Sequence, residues 1–233
     1  PYLTKKQIYP YGLRLHKETN NLAVPIFNID GNIVNIQWIS PDGEKKFFPS
    51  APVSANFFPI ALDIADKHSD EPILIGEGVA TMSTVYELTN KACIAALNCG
   101  NIKKVAEVIR QKYPNNPIII MADNDHKGKK NAGKDAAEAA YRELKLDAVI
   151  YPDFLDDCDG TDWNYFYPLK NYDEDVCKAA MREKLYCFPR FNKRLKYQTM
   201  AQELGCMDAE FIDSFCKRSE IYIFIFHISI FLF

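Results

Sequence analysis

Two carboxylate-bearing turns are the places where this chain could do chemistry. The first is Ile75-Gly76-Glu77-Gly78, a single acid between two glycines at the end of the apolar run Pro72-Ile73-Leu74-Ile75. Glycines on both sides allow a tight turn and a close backbone approach by a phosphate or metal, because no Cβ intervenes. The second is Met121-Ala122-Asp123-Asn124-Asp125, at the end of another apolar run. Two aspartates at i and i+2 on an extended turn can aim both carboxylates at one hard cation. Without a cation they repel each other and one pKa rises. Taken singly, each motif is also an ordinary turn, Glu77 capping a helix at Ala80 and Asp123 to Asp125 forming an Asx-rich bend. An EF-hand loop fails, since Gly128 falls at its sixth position but Lys134 stands at the twelfth, where a bidentate Glu is required.

Glu77 and Asp123 are 46 positions apart, so shared chemistry needs a fold that brings them to one edge. From residue 72 onward the pattern alternates strand and helix. Strands are predicted over 72–75, 92–97, 117–122 and 148–151, with helices over 80–90, 102–112 and 132–144. Short, continuously apolar runs are what strands buried on both faces look like. Right-handed crossovers then give a parallel sheet, and the order 2-1-3-4 makes the first and third strands neighbours. Glu77, Asp123 and Asp125 would converge at the carboxyl edge, where open α/β sheets bind ligands. Three carboxylates there suit one or two Mg²⁺ ions, or Mn²⁺, acting on phosphoryl oxygens. The fold class is α/β: a parallel four-stranded sheet with helices on both faces, preceded by a small antiparallel β-rich subdomain.

That subdomain is read from Leu22 to Phe48, three β-rich runs broken by Asp30-Gly31-Asn32 and Pro41-Asp42-Gly43. Lys45 and Lys46 at a strand entry could touch a phosphate, but adjacent lysines on an edge strand are more often edge-protecting charges. Residues 1–70 hold seven Lys/Arg and seven Asp/Glu, and the whole chain is −3 with a pI near 5.9. Bulk electrostatics therefore do not hold it on DNA, and any nucleic-acid contact is local or metal-bridged. Seven cysteines without a CxxC pair argue against a zinc ribbon or disulfide framework and for reduced thiols in a cytoplasm. The chain starts at Pro1 without a signal-like segment, and we expect it to be part of a longer protein. Residues 221–233 are apolar but too few for a bilayer, which needs about 20. They are expected to integrate poorly with the rest.

The two motifs together resemble the Toprim family, in which a Glu follows the first strand and a DxD follows the third. Residues 71–155 carry this likeness. Upstream, VPIFNIDGNIVNIQWISPDGEKKFFP is similar to the segment preceding Toprim in phage and plasmid primases. Downstream, Asp159-Gly160-Thr161-Asp162-Trp163-Asn164 resembles the loop that closes it. The resemblance implies a primase-type nucleotidyl transfer that joins NTPs on a single-stranded DNA template, with a replicative helicase fused or recruited. It implies that Glu77 is a metal-linked acid/base and that Asp123 and Asp125 hold Mg²⁺, with Asp162 as an additional metal acid. Gly76 and Gly78 would admit phosphates, and Lys127 and Lys129 after the DxD would attract them. A metal-dependent nuclease and a non-catalytic DNA-binding scaffold share these features. The expected organisation is a β-rich subdomain at 1–68, a catalytic domain at 69–168, a helical extension at 169–218 and the tail at 219–233.

Overall fold

The computed structural model describes residues 2–68, 70–125, 131–152 and 160–166, together with Met181 and Leu185. The chain divides into two compact units, Pro1–Arg182 and Glu183–Phe233, and every described residue except Leu185 belongs to the first. Lys127, Lys129, the apolar tail, and all but two residues of the expected extension lie outside the described residues.

A short helix α1 (Tyr2–Lys6) opens the chain. Four antiparallel strands follow in sequential order, β1 (Arg14–Leu15), β2 (Leu22–Phe27), β3 (Ile33–Ile39) and β4 (Lys45–Phe47). The turn between β2 and β3 is written in its side chains: Asn28 Oδ1 accepts the N–H groups of Asp30 at 3.1 Å and Asn32 at 2.9 Å. Gly31 takes φ +84°, which a glycine adopts without steric cost. Leu22, Val24 and Ile26 alternate inward along β2, opposite Asn35, Gln37 and Ile39 of β3. The sequence pattern shows three runs, and a fourth strand is present. β1 is too short to leave a periodic signal, and only its pairing with Leu22 and Ala23 makes it a strand.

The second sheet is built from β5 (Phe58–Ile60), then, after α2 (Asp63–Lys67), from β6 (Ile73–Gly76), α3 (Val79–Thr89), β7 (Ala92–Ala95), α4 (Ile102–Lys112), β8 (Ile118–Met121), α5 (Ala132–Leu144) and β9 (Ala148–Ile150). A four-residue helix α6 (Trp163–Phe166) follows. The strand order is β5-β7-β6-β8-β9, and β6 to β9 are parallel in the expected arrangement. The sheet is five-stranded rather than four-stranded, because β5 joins antiparallel at the edge of β7. Its Phe-Pro-Ile sequence speaks against a strand; the proline is tolerated because an edge strand need not donate on both sides.

The central strands are buried on both faces. On one face Ile102, Val105 and Ile109 of α4 and Ala137 and Ala140 of α5 close over Ile73, Ile75, Ile94, Ile118 and Ile120. On the other lies α3, buried along Val79 to Val85, with α6 packed on it. Asn164 fixes that contact, its Nδ2 donating to Thr84 Oγ1 at 3.0 Å and to the Lys6 carbonyl at 2.8 Å. The two sheets are joined by a Phe27–Phe57 bridge, and Asn101 fastens the segment between β4 and β5 to the end of β7. The Asn101 side chain bonds the backbone of Val53, Ala55, Asn56 and Ala96 at 2.8 to 3.2 Å. These links set the antiparallel sheet against the carboxyl edge of the parallel one.

Candidate metal centre

Gly76 ends β6 beside Met121 at the end of β8, so Glu77 and Asp123 emerge from neighbouring parallel strands at the same level. The backbone carbonyl of Glu77 is held by the Leu97 N–H at 2.8 Å. Asn124 turns inward and anchors the second motif. Its N–H donates to the Thr161 carbonyl at 2.6 Å, its Nδ2 to the Pro152 carbonyl at 3.2 Å, and its Oδ1 accepts from Asn131 Nδ2 at 3.1 Å. Asn131 in turn caps α5 by accepting the Lys134 N–H. The middle residue of the DxD is thus the structural one. Asp123 goes into the fold and Asp125 to the surface.

Around Asp123 lies a cavity of about 340 Å³. Glu77, Asp123 and Asp162 are the acids that line it, with Asp42 at β4's approach. Asp162 arrives on the loop that docks through Asn164. Its Oδ1 accepts the Tyr165 N–H at 2.7 Å and its Oδ2 lies 4.0 Å from Lys6 Nζ. Burial, followed by the charges of Asp162, Glu77 and Asp125, pushes the Asp123 carboxyl up to about 8. Burial also raises Glu77; Lys45 opposes the rise and Asp125 adds to it. Asp123 Oδ1 is buried without a hydrogen-bond partner among the described residues.

The convergence of Glu77, Asp123 and Asp125 expected from the strand order therefore needs a correction. All three sit in one electrostatic neighbourhood, but Asp125 is exposed and Asp162 takes the inward place. Among the described residues no three acids, histidines or cysteines close on one point as a ready-made cage. Like charges at short range oppose such closure, and a cation is what would draw them in. The donor set fits a hard divalent cation: its oxygens are carboxylates, and the unpaired buried Oδ1 of Asp123 lacks a partner that a metal would supply.

The glycines divide in the same way. A Cβ on Gly76 would run into Met82 Sδ and meet the Met121 carbonyl at 2.8 Å, so this glycine is required by packing between strand and helix. Gly78 lines the cavity at the start of α3, in extended backbone and with no side chain capping the helix. Lys134, in the lysine-rich stretch after the DxD, lies over the Tyr151 ring at 5.0 Å.

Sequence reasoning missed Lys5 and Lys6 and set Lys45 aside as an edge charge. Lys5 and Lys6 of α1 and Lys45 of β4 line the cavity, and Lys45 lowers the carboxyls of both Glu77 and Asp123. The signal for Lys45 was available in the period of two. It pairs with buried Ile39 and shares its face, while Lys46 pairs with Trp38 and forms its ion pair with Glu44 at 2.8 Å.

Residues 72–169 match the Toprim domain family model. That stretch of the chain is similar to the Toprim domain. Over 156 residues, 64% of its length, the chain is 32% identical to the DNA primase TraC of Escherichia coli, and a second protein of that name matches at 31%. It spans 11% and 14% of these two relatives. Among solved structures it superposes on the primase fragment of the bacteriophage T7 primase-helicase protein, with a TM-score of 0.55 at 20% identity, covering 77% of this chain and 74% of that one. The DnaG catalytic core gives 0.52 at 13% identity, covering 87% and 82%. At these identities the structural matches establish the fold, a parallel α/β sheet preceded by an antiparallel one.

Proposed function

We propose that this chain supplies the catalytic unit of a DNA primase, a Mg²⁺-dependent nucleotidyltransferase that joins NTPs on a single-stranded DNA template. The observation that carries this reading is the cavity itself, lined both by carboxylates around the unpaired Asp123 Oδ1 and by three lysines. That pairing suits a metal-bound triphosphate, negative groups facing the cation and positive groups the phosphates. The similarity to TraC over 156 residues supports it.

In this reading Asp123 and Glu77 hold Mg²⁺ or Mn²⁺, with Asp162 and Asp125 on either side. When bound, the metal would polarise the phosphoryl group and neutralise its charge. Glu77, its carboxyl already raised by burial, accepts the proton of the attacking 3′-hydroxyl. Lys45 meets the triphosphate from across the cavity. The uncapped start of α3 at Gly78 offers backbone N–H groups to the same phosphates. Lys127 and Lys129 extend the positive rim in this proposal, and a replicative helicase, fused or recruited, would deliver the template.

The test is template-dependent NTP incorporation by the chain with its native flanking sequence, run over a Mg²⁺ titration beside Asp123→Asn and Glu77→Gln. Wild-type synthesis lost by orders of magnitude in both variants is the expected result. Metal-dependent DNA cleavage without incorporation would replace the primase with a nuclease, and neither activity would leave a scaffold.

A further inference from the structure

Most hydroxyls along α3 are used by the fold or sealed inside it. Thr84 Oγ1 accepts from Asn164 Nδ2 at 3.0 Å, and Thr89 Oγ1 donates to the Val85 carbonyl at 2.7 Å. Ser83 Oγ is unpaired but fully buried away from the cavity. Thr81 differs from all of these. It is 3% exposed and lines the cavity, yet its hydroxyl bonds no other group among the described residues. A threonine in a helix ordinarily turns its hydroxyl back to the carbonyl three or four residues earlier. Here those carbonyls belong to Gly78 and Glu77, and each already accepts a backbone N–H, from Met82 at 2.9 Å and from Leu97 at 2.8 Å. Thr81 Oγ1 instead lies over the start of the helix, 3.2 Å from where a Cβ on Gly78 would stand. Gly78 has no side chain with which to cap, so the N–H groups of Val79, Ala80 and Thr81 have no helical partner.

This corner of the cavity is therefore rich in donors: a buried hydroxyl, backbone N–H groups and the positive end of an 11-residue helix. Lys5 and Lys6 bring their ammonium groups to the same cavity. Donors without acceptors call for an anion that carries several oxygens. Glu77 and Asp123 would repel that anion unless a cation lies between, so the ligand is one that shares a divalent metal. A condensed phosphate meets each of these conditions. In nucleotidyl transfer the attacking 3′-oxygen bonds to the α-phosphorus as the bond from that phosphorus to the bridging oxygen breaks. The bond pair leaves on pyrophosphate, and the hydroxyl proton passes to Glu77. We propose that the start of α3 holds this leaving pyrophosphate, with Thr81 Oγ1 and the first-turn N–H groups donating to its oxygens and Lys5 and Lys6 balancing its charge. Free pyrophosphate then competes with the incoming nucleotide for the same corner. The proposal rests on the primase reading for the source of the pyrophosphate, but its binding test requires no catalysis.

The experiment is equilibrium dialysis of the 233-residue chain against labelled inorganic pyrophosphate, at fixed Mg²⁺ and without NTPs or DNA. Wild type is expected to bind it, and to bind orthophosphate more weakly. Thr81→Val keeps the branched shape and loses the hydroxyl, and is expected to weaken pyrophosphate binding about ten-fold. Thr81→Ser keeps the hydroxyl and is expected to stay within about two-fold of wild type. A role in packing alone would give the opposite order, because valine preserves the buried methyl that serine lacks. Thermal melts check that each variant is folded, and Thr81→Ala makes the same test if valine does not fit. No pyrophosphate binding by wild type, undiminished binding by Thr81→Val, or a loss in Thr81→Ser equal to that in Thr81→Val would each overturn the site. The expected order in a chain that never incorporates NTPs would keep the site and remove the primase. Incorporation by wild type, with undiminished pyrophosphate binding in Thr81→Val, would keep the primase and remove the site.

Discussion

Asp123 is the residue on which the candidate site turns, because burial and three neighbouring acids hold its carboxyl up at about 8 against an ordinary value of 3.8. The consequence for stability has a definite sign. Between roughly pH 4 and pH 8 the folded chain keeps a proton that the unfolded chain has released, so stability is highest at the acid end and falls as pH rises through that window. Asp123→Asn removes the dependence. It is expected to raise metal-free stability at pH 8 by on the order of a few kcal/mol, seen as a higher melting temperature, and to abolish the further rise that Mg²⁺ gives wild type by mass action. Thermal melts at pH 5 and pH 8, with and without Mg²⁺, measure both. Gly76 is expected to respond in the opposite sense. Gly76→Ala forces a methyl against a strand carbonyl, which cannot yield as a side chain can. A loss of about 1–3 kcal/mol in urea unfolding is expected, and wild-type stability in that variant would show that Met82 and β8 have room to move.

At the scale of elements, β4 decides which of two adjacent lysines belongs to the site. Its register with β3 puts Lys45 on the face of Ile39 and Lys46 on that of Trp38. Lys45→Ala is therefore expected to raise KM for NTPs about ten-fold in the primase assay. It should also move the acidic limb of the pH profile upward, since Lys45 opposes the raised carboxyls of Glu77 and Asp123. Lys46→Ala should change neither. Equal effects from the two variants would mean that the positive charge acts diffusely, not through the strand's phase. The loop 160–166 matters in the same way. Asn164 binds α1 and α3 at once, and Asp162 faces the cavity as a consequence of that docking.

For the molecule as a whole, the site exists only because two sheets meet. The acids come from the parallel sheet and its closing loop, and the cations from α1 and β4 of the antiparallel part. Asn101 fastens the segment that connects them to the parallel sheet, bonded to four backbone groups. Asn101→Ala strands several of those groups in the interior and is expected to cost about 2–4 kcal/mol. It should also separate the unfolding of the two sheets, read as a transition that no longer coincides between tryptophan fluorescence and far-ultraviolet circular dichroism. Trp38 reports on the antiparallel sheet and Trp163 on the α3 side. Coincident transitions in the variant would show that the Phe27–Phe57 contact suffices. Among the described residues no helix is long and apolar enough to cross a membrane.

The parallel sheet was legible because burial on both faces demands continuous apolar runs, and Ile73 to Ile75, Ala92 to Ala95 and Ile118 to Met121 write them locally. With crossover handedness, those runs placed Glu77 and Asp123 on adjacent strand ends. The helix over 132–144 matched to the residue, since Asn131 and Lys145 mark its ends through local chemistry. β1 and β5 were not legible; they are two and three residues long, and their partners define them. Nor did the motif say which aspartate of Asp123-Asn124-Asp125 turns inward, because that follows from Asn124 bonding Pro152 and Thr161, contacts distant in sequence. The lysine wall was hidden by averaging, since net charge over seventy residues discards position. Sequence alone determined the acids and the sheet that carries them, which depend on local pattern. Tertiary structure decided which acids share a cavity and which cations face them, because those pairings are set by how separate elements pack.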